Sequence, residues 1–502
     1  MPIESSVTVI SDLTTTYPEN GDVQSYGAQH LRNIKTALVS LGTASSTKGD
    51  VQVKHFPTGT GAITSRTVNV MLREVQSVKN FGAVGDGTTD DKAAINLAID
   101  WLNGAQHRSI VFPNGNYAIS GVLTTITATN WAILGRGGRG GCRITMTSGT
   151  SGAVFVVGNS TTDAPRGCIR GFTFNFTNTP TVSDYVIDVV NGADLEFSEI
   201  GLLNAAGAFR VGGTTTNSTR TKFHNWTGNC NGGETSDANI LIRYASTTWV
   251  TDVVLTGQGG GNSGTKAMMQ IVPVSGGLVD TLWVQRCAFQ MFTTDEPPAS
   301  ADGKAYGVYI DRTLGDVTNL WFRDCAFDHT TTKAFYMFDT DGVISTPASR
   351  NINIVNCRFA TDAGAGIHFD FSDANTSFEA RMFNISNNNI FIADNSYAIH
   401  YQGRDLDTGT NNTRGLNISF NHCQDEVTAT NKTYAIVIDT SYFRCIGNQI
   451  GGTTSGSGWQ TGIRIVDTSN TGFVVQGNVG TECDVAVVSN ASSGTYSVTG
   501  NV

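Results

Sequence analysis

A chain of 502 residues has room for several ordinary domains or for one elongated one. Charged residues make up 15%, below the ~25% usual for globular proteins, and 57 glycines accompany only 10 prolines. This balance favours short strands and tight turns over helices, and the net charge of −10 argues against nucleic acid, whose phosphates demand a basic footprint.

The opening stretch "MPIESSVTVISDL" lacks a basic segment followed by an apolar one, so no secretory signal is expected. No run approaches the length of a membrane span, so no membrane insertion is expected either. Nine cysteines without a CxxC pair indicate neither a disulfide framework nor a zinc site, and no metal or cofactor is predicted. "YGAQHLRNIKTALVSLG" spaces Leu31, Ile34, Leu38 and Leu41 as one face of a helix that stops at Gly42. A polar linker, "TASSTKGD", leads to a short β-like patch around Val51–Val70.

"FGAVGDGTTDD" at 81–91 invites reading as an acidic metal site. A calcium loop needs alternating carboxylates and a distal glutamate, which Asp86, Asp90 and Asp91 do not provide. The expectation is structural: Gly82, Gly85 and Gly87 permit a tight turn, and Asp90 and Asp91 start a helix. Ala94, Ile95, Ala98, Ile99 and Leu102 form its apolar face, and Gly104 closes it. "GRGGRGG" at 135–141 contains GxGxxG, but a strand-like "CRITMTS" follows where a dinucleotide site needs a helix; a turn is expected.

From residue 106 onward the pattern is β, and a repeat emerges. "WVQRCAF", "WFRDCAF", "IVNCRF", "ISNNNIF", "ISFNHCQ", "CIGNQI", "VVQGNV" and "SVTGNV" align on Arg286, Asp324, Asn356, Asn388, Asn421, Asn448, Asn478 and Asn501, 23 to 38 residues apart. Between them recurs a second strand ending on Asp311, Asp339, Asp370, Gln402, Asp439 and Asp467. Two registers sharing one irregular period predict stacked coils, with asparagine in a fixed slot bonding to its neighbours above and below. The predicted fold is all-β, a right-handed parallel β-helix.

"VKNFGAVGDGTTDDKAAINLAIDW", followed by "IVFPNGNYAISG", resembles the entry sequence of the pectate-lyase-like β-helix superfamily, and phage tailspikes in particular. The upstream "SDL…YPENGDVQSYGAQHLRNIKTAL" resembles the segment by which tail proteins attach to the virion. The resemblance implies an attachment segment at 1–42, a neck at 43–77, an entry motif and capping helix at 78–105, and a receptor-binding or catalytic β-helix at 106–502. It further implies a virion location, a homotrimer, contacts with other tail proteins, and a bacterial capsule or lipopolysaccharide as ligand.

Chemistry is sought on the side of the coil. Hydrolysis of a glycosidic bond needs two carboxyl groups, which stacked coils can supply, and the expected catalytic residues are Asp339, Asp341 and Asp370. Asp373 lies close in sequence to them. Expected to bind substrate are Asp311, the polar insertion carrying Glu296, and Trp283 and Trp321, which share a slot in adjacent coils. Each has a plainer alternative: aspartates cap strands, loops are solvated, and tryptophans fill cores. Cys287, Cys325 and Cys357 read as buried core. A lyase would use a base and a carboxylate neutraliser, with His329, Lys333, Arg350 and Arg381 nearby, and a non-enzymatic adhesin of the same fold is the other alternative.

Overall fold

The computed structural model describes residues 74–147, 152–177, 185–205, 207–230, 238–258, 267–292, 306–330, 333–339, 348–361, 364–371, 379–392, 396–403, 413–425, 434–452, 459, 461–466, 472–481, 485–489, 496–499 and 501, with 52–53 and 66–67 upstream. The chain divides into two compact units, Met1–Gln76 and Ser77–Val502. In the first, Gln52–Val53 pairs antiparallel with Arg66–Thr67. The expected helix at 26–42 lies outside the described residues.

The second unit is a right-handed parallel β-helix. A typical coil runs through Leu278–Gln285 in sheet A, Ala288–Phe292 in sheet B and Tyr306–Asp311 in sheet C. The next coil repeats the order with Asp316–Arg323, Ala326–Thr330 and Lys333–Phe338, each strand parallel to its predecessor. In earlier coils the A and B strands run continuously, as in Ala193–Ala205 and Ser218–Cys230. Sheet C gathers twelve strands.

The corner between sheets A and B explains why the coil bends where it does. Gly171, Glu199, Asn225, Asp252, Arg286, Asp324, Asn356, Asn387, Phe420, Gly447 and Gly477 follow one another in register there, all with φ of 51–85°. A single left-handed residue per coil turns the strand without interrupting the ladder. The residue after it points inward. That slot holds Phe172, Ile200, Trp226 and Val253 in the early coils, then Cys287, Cys325 and Cys357, then Asn388, Asn421, Asn448, Asn478 and Asn501.

The asparagines form a continuous amide ladder. Asn388 Nδ2 donates to Asn421 Oδ1 at 2.9 Å, Asn421 to Asn448 at 2.9 Å, Asn448 to Asn478 at 2.8 Å and Asn478 to Asn501 at 2.9 Å. The same amides donate to Ile354, Ile385, Ile418 and Cys445 carbonyls, and backbone N–H groups return bonds to the Oδ1 atoms. The expected ladder exists, but with a different register from the one read in the sequence. Arg286, Asp324 and Asn356 belong to the corner column, one residue before the slot that the later asparagines share with the cysteines. The eight described cysteines are free thiols.

Elsewhere the core is apolar and stacked, as in Phe289, Phe327 and Phe359, whose centroids lie 5.2 and 5.3 Å apart. Helix Lys92–Asn103 adds Ile95, Ala98, Ile99 and Leu102 to this core. The carboxylates of 81–91 are engaged locally. Asp91 accepts from the Val84 and Gly85 N–H groups at 2.6 and 3.0 Å, Asp90 from Ser120 Oγ at 2.6 Å, and Asp86 from Thr88 and Thr89 N–H at 2.8 Å each. Thr88 and Thr89 hold the Asp86 carboxyl well below its usual range. The stretch is a scaffold. "GRGGRGG" contains one helical turn, Gly138–Gly141, where a turn was expected, and strand Cys142–Met146 follows.

Candidate active site

Sheet C presents one column whose residues alternate with fully buried neighbours and therefore face outward: Gln270, Tyr309, Tyr336, His368, His400 and Val437. Tyr309 lies between Val308 and Ile310, Tyr336 between Phe335 and Met337, and His368 between Ile367 and Phe369, all with no exposed surface. Tyr336 and His368 have ring centroids 5.3 Å apart, and His368 stacks on His400 at 4.4 Å with an 18° tilt. Tyr306 stacks beside Tyr336 at 5.7 Å.

Two ionisable groups join this aromatic wall. Lys333 begins its strand and extends Nζ to 3.5 Å from the Tyr336 ring centroid. Asp370, on the coil after Tyr336, accepts a hydrogen bond from the Tyr336 hydroxyl at 3.3 Å. Burial lowers Lys333 to about 8, against the pull of Asp370 in the other direction. Burial, then Asp370, raises the Tyr336 hydroxyl. Burial also keeps the imidazoles neutral: His368 falls far below its usual value, helped by His400 and Lys333, and His400 falls to about 4. Nε2 of His368 and Nδ1 of His400 have no hydrogen-bond partner among the described residues. The patch thus offers a lysine close to neutrality, a phenol hydroxyl, a carboxylate and two neutral imidazoles.

Among the described members of the column that the repeat had aligned, the structure displaces Asp339 and keeps Asp311, Asp370, Gln402 and Asp439 in register. Asp311 pairs in register with Phe338, Phe338 with Asp370, Asp370 with Gln402 and Gln402 with Asp439. Asp339 lies one position further, buried, with Oδ2 3.5 Å from Nη1 of the fully buried Arg312. Asp311 accepts from the Thr313 N–H at 3.0 Å, a turn-capping bond, and Asp439 is buried. Asp341, Asp373, Asp467 and Glu296 lie outside the described residues. Of the two expected catalytic residues that are described, Asp370 joins the patch and Asp339 does not.

Trp283 and Trp321 face outward from sheet A, half-buried, in one column with Lys222 and Trp249. Their rings are coplanar within 7° and 4.0 Å apart, so each covers a face of the other. Arg350 and Arg381 pair in another column of sheet A, and His329 lies on strand Ala326–Thr330. Of the four alternatives considered for a lyase, Lys333 is the one in the patch. Tyr336, His368 and His400 were missed. Their signal, an outward position in three consecutive coils, depends on strand register. Among the described residues no group of three or more His, Cys, Asp or Glu side chains could hold a metal ion, and no helix is long and apolar enough to cross a membrane.

Stacked parallel coils of three sheets with a helix at the entry define the pectate-lyase-like class of right-handed β-helix proteins, and this chain has that fold. Residues 75–276 match the family described as rhamnogalacturonase A/epimerase, pectate lyase-like. A solved tailspike of E. coli bacteriophage HK620, in complex with a hexasaccharide, is similar over 88% of this chain and 70% of its own, at 14% identity and a TM-score of 0.52. The A-module of mannuronan C-5 epimerase AlgE4 from Azotobacter vinelandii is similar over 84% of this chain and all of its own, at 15% identity and a TM-score of 0.43. Mannuronan C5-epimerase AlgE1 from the same organism is 49% identical over 45 residues, 9% of this chain. The chain spans 3% of the length of that relative.

Proposed function

We propose that the protein is a phage tailspike that binds a bacterial surface polysaccharide and cleaves it by β-elimination at the Lys333–Tyr336–His368 patch. The observation that carries the chemistry is the ammonium of Lys333 held against the Tyr336 ring while the Tyr336 hydroxyl bonds to Asp370. Neutral Lys333 removes the proton α to a uronate carboxylate, the C–H electrons form the carbon–carbon double bond, and the glycosidic C–O bond breaks. The leaving oxygen takes a proton from the Tyr336 hydroxyl, and solvent returns the lysine's proton to the phenolate. Neutral imidazole N–H groups of His368 and His400 bond the substrate carboxylate without adding positive charge that would depress Lys333 further.

Hydrolysis by paired carboxylates is less well supported, because Asp339 is buried against Arg312 and Asp370 would need Asp341 as its partner. In this reading the chain works as a trimer in the virion tail, and residues 1–42 hold it to other tail proteins. The test incubates the purified full chain with host capsule or lipopolysaccharide and follows reducing ends together with the ultraviolet absorbance of unsaturated uronate. Both should rise. Reducing ends alone would indicate a hydrolase. Binding with neither signal would indicate an adhesin.

A further inference from the structure

A second polar recess opens on sheet A, two to four coils before Lys333 and Tyr336. Asp194, Leu195, Glu196, Arg220, Lys222 and Trp249 line a shallow pocket of about 200 Å³. Three consecutive coils build it. Glu196 pairs in register with Lys222, and Lys222 with Trp249, so their side chains emerge in one outward column. Asp194 and Arg220 occupy the left-handed corner at the start of that sheet, with φ of 56° and 51°.

The polar groups are held before any ligand arrives. Arg220 Nε and Nη2 donate to the two oxygens of Asp194 at 2.5 and 3.0 Å, a bidentate pair with fixed geometry. This pairing lowers the Asp194 carboxyl and raises the Arg220 guanidinium. Glu196 Oε1 lies 3.2 Å from Nε2 of His224, and Lys222 Nζ lies 5.2 Å from the Trp249 ring centroid. Two carboxylates and two cations cancel, so the recess carries no net field that would select an anion or a cation. It offers alternating donors and acceptors beside one aromatic ring.

A pyranose matches that pattern. Its hydroxyls donate and accept at once, its C–H face is apolar, and a single ring suits a recess of this size. Trp283 and Trp321 are less suited to the role, since each covers a face of the other. We infer that the Asp194–Glu196–Arg220–Lys222–Trp249 recess is an accessory binding site for a neutral sugar residue, separate from the sheet C patch. It stands whether or not that patch is catalytic. Gripping the polymer at a second point would raise its effective concentration at the patch without a role in bond cleavage.

The experiment uses the full chain and a panel of methyl pyranosides of glucose, galactose, mannose, N-acetylglucosamine and glucuronate, read by saturation-transfer NMR. Binding of at least one neutral glycoside is expected. Trp249→Ala and Glu196→Gln should each weaken it roughly tenfold, while Trp283→Ala and Lys333→Met leave it unchanged. Glu196→Gln keeps the ring and the strand, so loss in that variant is not a folding failure. The inference is overturned if no neutral glycoside binds, if binding survives Trp249→Ala, or if glucuronate alone binds.

Discussion

Arg312, with no exposed surface, lies 3.5 Å from Asp339, Nη1 to Oδ2, and 3.9 Å from Asp316, four residues on; both belong to the next coil. Burial lowers the guanidinium to about 10 despite both carboxylates. A charge held this deep is costly to leave with one counter-charge fewer. Asp339→Asn should therefore destabilise the fold by about 3 kcal/mol, seen in denaturant unfolding. The double change Arg312→Met with Asp339→Leu should recover most of that loss. A stable Asp339→Asn protein with its cleavage selectively abolished would contradict this assignment.

Lys333→Met should abolish release of unsaturated product while polymer binding and unfolding temperature stay close to the parent's. In the parent, the rate should rise with pH through about 8 as Lys333 loses its proton. The groups facing that ammonium are Asp370, Tyr306, Tyr336, His368 and His400, and only Asp370 opposes the shift, so Asp370→Asn should move the rise to lower pH. A flat profile across that range would remove Lys333 from the role of base.

His368 and His400 supply a stability signature. Unfolded histidines titrate near 6.5, whereas His400 in the fold takes a proton only near 4 and His368 lower still. Between those values the unfolded chain binds protons that the folded chain does not, so stability falls as pH drops below ~6.5. Each residue contributes up to about 1.4 kcal/mol per pH unit. Urea midpoints measured from pH 7 to 4 should decline in the parent and decline less in His368→Phe.

The inner ladder predicts an asymmetry along the solenoid. Asn388 begins the amide chain, with Cys357 before it, whereas Asn421 has asparagines on both sides. Asn388→Cys extends the cysteine run by one coil and breaks one amide link. Each change strips the acceptor of one buried backbone N–H, but Asn421→Cys breaks two links and also leaves the Asn388 side-chain amide short of an acceptor, so it should cost roughly 1 kcal/mol more. Equal losses in thermal unfolding would refute the ladder's cooperativity.

The coil and its entry were legible because they depend on repeated residue types: turn residues once per coil, alternation within strands, and a helix after Asp91. The site was legible only in part, because its residues depend on register. "YGVYID" and "AFYMFD" align by eye on their final aspartates, which carries Asp339 into the column of Asp311. Pairing Tyr309 with Tyr336 shifts the match by one and sets Phe338 opposite Asp311. The shift reverses the face of every side chain in the strand, which is why Asp339 was expected outside and is found inside. The same slip took Tyr336 out of line with Tyr309, His368 and His400, which alignment on the final residues keeps in one slot but which differ in chemistry. Trp283 and Trp321 were paired from the sequence, but the plane of their rings was not readable there.

The change from aromatic and aliphatic residues through cysteine to asparagine, within one inward slot, has a consequence for how the molecule can vary. The amides act as a ruler with one graduation per turn. A single residue gained or lost between a corner and its asparagine would take that graduation off the scale, whereas any number added to the connections between sheets leaves it untouched. The second half of the solenoid can thus lengthen or shorten only by complete turns, and must carry its diversity in the loops between them.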